Sequence, residues 1–264
     1  VELTAPGLQA REAAVRTLAD VLERRQPLDE AFERAMARRA LEPRDRGFAR
    51  LLATTTLRRL GEIDALLADR IERPLPQDAG RVRQILRITA AQLLYLDTPA
   101  HAAVDGAVRL TRVRGRHVRF AGLVNAVSRR LAERSGHLDR QADAARLNVP
   151  DWLWQRWRSH YGADVAQRIA EAHLQEPSLD LSSKGDPSIW AERFDGKLLS
   201  TGSVRIPLHG RIDALPGYDE GKWWVQDAAA ALPARLLGDV FGVEVADLCA
   251  APGGKTAQLA AAGA

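Results

Sequence analysis

The chain has 264 residues, 46% hydrophobic and 27% charged, a length and balance that fit more than one folded domain and exclude a disordered tail. A single cysteine, Cys249, excludes a disulfide framework and a cysteine-rich zinc site. Net charge is +4, but it is uneven: residues 1–140 hold 26 Lys and Arg against 18 Asp and Glu, and residues 141–264 hold 12 against 16.

No run of 18 apolar residues is present, which argues against a membrane-spanning helix. Val1–Leu22 carries charges throughout and no signal-peptide core, so a cytoplasmic location is expected. All 26 basic residues of the first stretch are arginine. Arginine suits phosphate recognition, because its planar fork makes paired hydrogen bonds and stays charged. A GC-rich genome would also favour arginine over lysine, but it would not produce the asymmetry.

Residues 10–140 read as six or seven helices. Ala13, Ala14, Leu18, Val21 and Leu22 recur at helical spacing, and Gln26-Pro27 ends that segment. Ala31 and Ala35 follow, with a break at Pro43. Phe48, Leu51, Leu52, Thr55 and Leu60 form the next apolar face, with Gly61 expected as its C-cap. Ile63, Leu66, Leu67 and Ile71 run up to Pro74. Ile85, Ile88, Leu93 and Leu94 give a nearly all-round apolar helix, expected at the centre. A helix over 101–110 and another carrying Phe120 to Leu131 complete an all-α domain.

From about Gln141 the texture changes. Trp152, Trp154, Trp157 and Tyr161 precede a helix over 163–173. The Trp152, Trp157 and Tyr161 set reads as a helix face packed between domains, with a base-stacking platform as the competing reading. Short apolar runs at Leu179, Leu181, Ile189, Leu198, Val204 and Ile206, separated by Gly, Pro and Asp, suggest mixed α/β structure. A helix is expected over 227–237, a buried strand over 243–248 and a helix over 255–262.

Asp247-Leu248-Cys249-Ala250-Ala251-Pro252-Gly253-Gly254-Lys255-Thr256 sits between those last two elements. Glycines and small residues let a ligand approach the backbone, and the first turn of the helix offers free N–H groups. A P-loop needs a glycine where Cys249 stands, and the Gly-x-Gly-x-x-Gly dinucleotide pattern is absent. S-adenosylmethionine binding remains, against an ordinary strand–helix turn.

This stretch resembles motif I of the RNA cytosine-5 methyltransferases. Leu215-Pro216-Gly217-Tyr218 and Trp224-Val225-Gln226-Asp227-Ala228-Ala229 extend the likeness. Ile85-Leu86-Arg87, Gln92-Leu93-Leu94, Pro99 to Val104 and Leu123-Val124-Asn125-Ala126-Val127 resemble a NusB-like RNA-binding domain. Together they resemble the bacterial 16S ribosomal RNA cytosine-5 methyltransferases of the Sun/Fmu (RsmB) type.

The resemblance implies a multidomain α plus α/β chain in three parts. These are a NusB-like all-α RNA-binding domain over 1–142, an α/β connecting domain over 143–237, and the first strand, turn and helix of a truncated Rossmann-like methyltransferase domain over 238–264. It implies S-adenosylmethionine bound by Cys249, Ala250, Ala251, Pro252, Gly253, Gly254 and Lys255. The family's nucleophilic and product-releasing cysteines lie in Pro-Cys and Thr-Cys motifs that this sequence lacks. No catalytic residue is therefore assigned, and residues 1–264 alone are expected to be inactive. Cys249 is read as a cofactor contact. The family's Leu-Arg-Val-Asn becomes Leu181-Ser182-Ser183-Lys184 here, which removes the arginine and asparagine of relatives.

Arg109, Arg112, Arg114, Arg116, Arg119, Arg129 and Arg130 are the candidate contacts to 16S ribosomal RNA, since no acid occurs between Gly106 and Ala132. The competing reading is a solvated face. The six histidines show no ligand spacing, so no metal site is expected. No membrane partner and a monomer are expected. The alternative to a methyltransferase is a non-catalytic NusB-like RNA-binding or transcription-antitermination module. A P-loop nucleotide binder is a third reading.

Overall fold

The structure, a computed structural model, describes residues 7–38, 41–76, 79–113, 115–134, 144–207 and 212–264; the side chains of Arg116 and Arg134 lie outside this description. The chain divides into two units, Val1–Gln175 and Glu176–Ala264.

Proline breaks and apolar spacing set the helices of the first unit. α1 (Leu8–Leu22) buries Leu8, Ala14, Val15 and Leu18. α2 (Leu28–Met36) starts after Pro27 and carries Asp29 and Glu30 in its first turn, where the helix dipole favours acids. α3 (Pro43–Arg58) opens on a proline, whose missing N–H costs nothing there. α4 (Leu60–Ala68) follows at once. α5 (Gly80–Tyr95) is the central helix and buries every residue from Gln84 to Leu93. α6 (Ala100–Arg112) and α7 (Ala121–Arg134) are joined by a 3-10 stretch at Gly115–Phe120. Among the described residues, seven α-helices thus occupy 8–134, within the expected number.

α8 (Ala144–Leu147), α9 (Asp151–Tyr161) and α10 (Ala163–His173) extend the same unit. Gly61 is not the expected C-cap; it lies inside α4, where a Cβ would fall 1.8 Å from the Leu147 carbonyl oxygen. The glycine lets the end of α8 lie directly on α4. The Asn148 side chain accepts the Glu62 N–H there at 3.2 Å. Gly61→Ala must push two backbones apart, and a loss of about 1–3 kcal/mol is expected. A thermal unfolding midpoint equal to the parent's would contradict this close approach.

A charged cluster is buried beside the core. Arg11 Nε donates to Gln92 Oε1 at 2.7 Å. Glu12 accepts from Arg16 Nε at 2.7 Å and from Arg81 at 2.5 and 3.2 Å. Buried charge of this kind is tolerated only when its partners are in place.

In the second unit β1 (Leu179–Ser183), α11 (Ser188–Arg193), β2 (Lys197–Leu198), β3 (Val204–Ile206) and β4 (Trp223–Val225) form an antiparallel sheet and its cover, with strand order β2-β3-β1-β4. Leu181 pairs with Val204 and Val225 in register. Leu181, Val204, Ile206 and Trp223 pack with Trp190 of α11 and with Phe194. Asp180 alternates to the other face, as strand geometry requires. Its carboxylate accepts Arg205 Nε at 2.7 Å, Arg205 Nη2 at 2.9 Å and the Ala228 N–H at 3.1 Å. The last contact sets the start of α12 (Ala228–Arg235), which precedes α13 (Gly254–Ala261).

The strand expected over 243–248 is not formed. A strand needs a neighbour for its N–H and C=O groups, and among the described residues none pairs with this segment. Leu248 is 94% exposed. The turn and helix after it do form, so of the expected strand–turn–helix only the last two parts are present.

Candidate cofactor turn and arginine surface

Asp247 closes the turn at both ends. Its Oδ1 accepts the Cys249 N–H at 3.2 Å, and its Oδ2 accepts the Thr256 hydroxyl at 2.7 Å. The Ala251–Pro252 bond is cis, and Gly253 has φ +107°, a conformation that suits glycine. A Cβ at Gly253 would point into open space. The backbone is thus bare where α13 begins, and its first N–H groups are available to a ligand.

α13 is tied to the sheet and to α12 by side-chain amides. Gln226 Nε2 donates to Gln258 Oε1 at 3.1 Å, and Gln258 Nε2 donates to the Ala231 carbonyl at 3.0 Å. Trp224 Nε1 donates to Gln226 Oε1 at 3.0 Å. Asp227 caps α12 by accepting the Ala229 and Ala230 N–H groups at 2.9 and 3.1 Å. Between these pieces lies a cleft of about 480 Å³, lined on one side by Trp224, Asp227 and Ala230.

All seven residues expected at the cofactor, Cys249 to Lys255, line the other side. A volume of this size and a mixed apolar and polar lining fit a small organic ligand. Sequence reasoning passed over Asp247, Thr256 and Gln258 as structural partners of the turn. An acid that opens a turn ahead of a helix was the available signal for Asp247; nothing local marks Gln258. Cys249 is exposed.

The arginine candidates are more dispersed. Arg109 and Arg112 end α6, Arg119 lies in the 3-10 stretch, and Arg129 and Arg130 are on α7; all five are exposed. Arg114 lies outside the described residues, as does the side chain of Arg116. Folding brings acids to this stretch that the sequence run lacks. Arg109 pairs with Asp105 at 2.8 Å, one turn earlier. Arg130 meets Glu72 at 3.9 Å and the Arg70 carbonyl at 3.4 Å. Arg119 stacks over the Phe120 ring. Arg112 and Arg129 have no ion pair among the described residues.

Trp154 and Trp157 pack with Ala145, Val149 and Ala170, and Trp157 meets His173 edge-on at 5.3 Å. Trp152 and Tyr161 are instead exposed, which the packed-face reading did not anticipate. The Ser182 hydroxyl is buried in β1 without a hydrogen-bond partner among the described residues, and the guanidinium on that face comes from Arg205 of β3. His117 is buried. His137 and His209 lie outside the described residues. Among the described residues no group of three or more His, Cys, Asp or Glu is placed to hold a metal, and no helix is long and apolar enough to cross a membrane.

Comparison with known proteins places these two features in context. Residues 8–133 match the NusB family. The chain is 33% identical to ribosomal RNA small subunit methyltransferase B of Xanthomonas campestris, over 98% of this chain and 60% of the relative. It is 31% identical to "Probable ribosomal RNA small subunit methyltransferase B" of Synechocystis, over 96% and 60%. The Shigella flexneri methyltransferase B is 29% identical, over 94% and 60%. The crystal structure of PH0851 shares the fold, with TM-score 0.66 and 19% identity over 99% of this chain and 62% of that one.

The helical unit therefore carries a NusB domain. Over nearly its whole length the chain is a homologue of the ribosomal RNA small subunit methyltransferase B proteins. It spans about 60% of the length of those relatives.

Proposed function

We propose that this chain supplies the RNA-binding part and the cofactor turn of an S-adenosylmethionine-dependent methyltransferase acting on C5 of a cytosine in 16S ribosomal RNA. The observation that carries the reading is the cleft beside Asp247–Thr256, closed by one carboxylate and lined by Cys249 to Lys255. The cofactor, when bound, supplies an electrophilic methyl group. The chain's own residues hold it: Gly253 and Gly254 leave room at the backbone, the start of α13 donates N–H groups, and Lys255 adds positive charge.

Residues 238–264 then belong to the beginning of a Rossmann-like methyltransferase domain, after a connecting domain over 143–237 and the RNA-binding domain over 1–142. The NusB match, ending at residue 133, supports the first boundary. The Pro-Cys and Thr-Cys motifs are absent from residues 1–264, so these residues transfer no methyl group by themselves. Arg112 and Arg129, exposed and without an ion pair among the described residues, are the phosphate contacts best supported among the described arginines of the set. The protein works in the cytoplasm, in ribosome biogenesis, as a monomer. The NusB match also suits a non-catalytic RNA-binding or antitermination module, a reading that leaves the ordered turn without a role.

The amide resonances of Gly253 and Gly254 test the cofactor assignment. Titration with S-adenosylmethionine is expected to shift both in a saturable way, at weak affinity, and Asp247→Ala is expected to weaken the response at least about tenfold through loss of the turn's closure. Shifts with ATP in place of the cofactor, or none with either ligand, would overturn it.

A further inference from the structure

We propose that the outer face of α9 is a contact surface for single-stranded RNA, on which Trp152 stacks a base while Arg156 meets the backbone. The proposal rests on the RNA reading above and adds a surface separate from the arginines of α6 and α7.

The orientation of α9 is fixed by its inner side. Leu153, Trp154 and Trp157 pack against the cluster of Ala145, Val149 and Ala170. Arg146 stacks over the Trp154 ring and pairs with Asp151. At 3.6 residues per turn, Trp152, Gln155, Arg156 and Ser159 are then forced onto the opposite stripe. Trp152 is 66% exposed, and all four residues are solvent-facing. None of α9's residues is buried.

Trp152 is held open to water on a helix whose other side is packed, so its ring is available to a planar partner. Its neighbours give the partner's chemistry. Arg156 sits one turn from Trp152, and Arg158 flanks the stripe; both are exposed and neither has an ion pair among the described residues. The one acid of the helix, Asp151, is already engaged by Arg146. Gln155 and Ser159 add neutral hydrogen-bonding groups. An aromatic plane with one cation beside it and a second flanking it, neither in an ion pair among the described residues, and no acid on the stripe, match an unpaired base and its phosphates. A protein partner of apolar character would want a broader apolar stripe than one tryptophan.

The test is fluorescence anisotropy of a labelled, unstructured oligoadenylate RNA with the whole chain at several salt concentrations. Trp152→Ala is expected to weaken binding about 5- to 150-fold, and Trp152→Phe to restore most of it, because a ring still stacks. Arg156→Gln is expected to lower the slope of log affinity against log salt by about 0.7. Unchanged melting curves establish that these exposed substitutions leave the fold intact.

Arg112→Glu with Arg129→Glu is the control for the RNA reading. If that pair weakens binding and Trp152→Ala does not, the α9 proposal is overturned and the RNA reading stands. If the parent chain binds no RNA at low salt, both fall. A concentration-dependent dimer that Trp152→Ala abolishes, with RNA affinity untouched, would assign the face to a second copy and overturn the proposal.

Discussion

Replacing Glu12 with alanine is expected to lower the unfolding free energy by about 3–5 kcal/mol, the cost of stranding a buried partner charge. Glu12 is 2% exposed and receives Arg81 through two nitrogens and Arg16 through a third. Without it, Arg81 keeps, among the described residues, only the Leu110 carbonyl, at 3.3 Å. That loss is a large share of the stability of an ordinary domain. A urea midpoint within experimental error of the parent's would show that the cluster is dispensable.

The same cluster carries a pH signature. Burial pushes the Glu12 carboxyl up, but the hydrogen bonds and charges of Arg81 and Arg16 prevail and hold it below the usual 4.5. A carboxyl held low in the folded state contributes stability that is present above its unfolded value. This stability is lost as pH falls through the folded value. The parent should therefore lose stability on acidification below about pH 4.5, and Glu12→Ala should lose less over the same window.

Asp180→Ala is expected to cost about 3 kcal/mol, since one carboxylate serves an arginine fork and a helix-start N–H together. The Arg205 hydrogen bonds first, and the Ala228 N–H with them, hold the Asp180 carboxyl below its ordinary value against the opposing effect of burial. Arg205 is 46% exposed in its side chain and can turn to water, so the lost ion pair contributes less than the orphaned Ala228 N–H at the start of α12. Arg205→Lys keeps charge without the fork and should recover only part of the stability. Tryptophan fluorescence in denaturant, to which Trp190, Trp223 and Trp224 of the second unit contribute beside the three tryptophans of α9, is the measurement. An unaltered transition would mean that Asp180 does not join β1, β3 and α12.

Where burial and periodicity coincide, the sequence was readable. Ile85 and Ile88 announced α5 as the central helix, and the spacing over 163–173 matched α10. Cys249 to Lys255 were legible as one turn because they are contiguous, and they line one cleft. Features made by distant residues were not. Gly61 reads as a helix end until Leu147 is placed against it. The acid-free run from Arg109 onward gains Glu72 only on folding. β2 has two residues and β4 three, too few for any alternation to register. Val243 to Leu248 has a strand's composition, but composition cannot provide the hydrogen-bonding neighbour that a strand requires.

The division of cations between the two units makes them chemically distinct. The four lysines, Lys184, Lys197, Lys222 and Lys255, are all exposed and all lie in residues 176–264. Acylation of side-chain amines, by a reagent or by a cellular acetyl donor, can therefore neutralise Lys255 at the cleft while leaving every guanidinium of the helical unit charged. One half of the molecule offers its charge to lysine modification, and the other keeps its charge fixed.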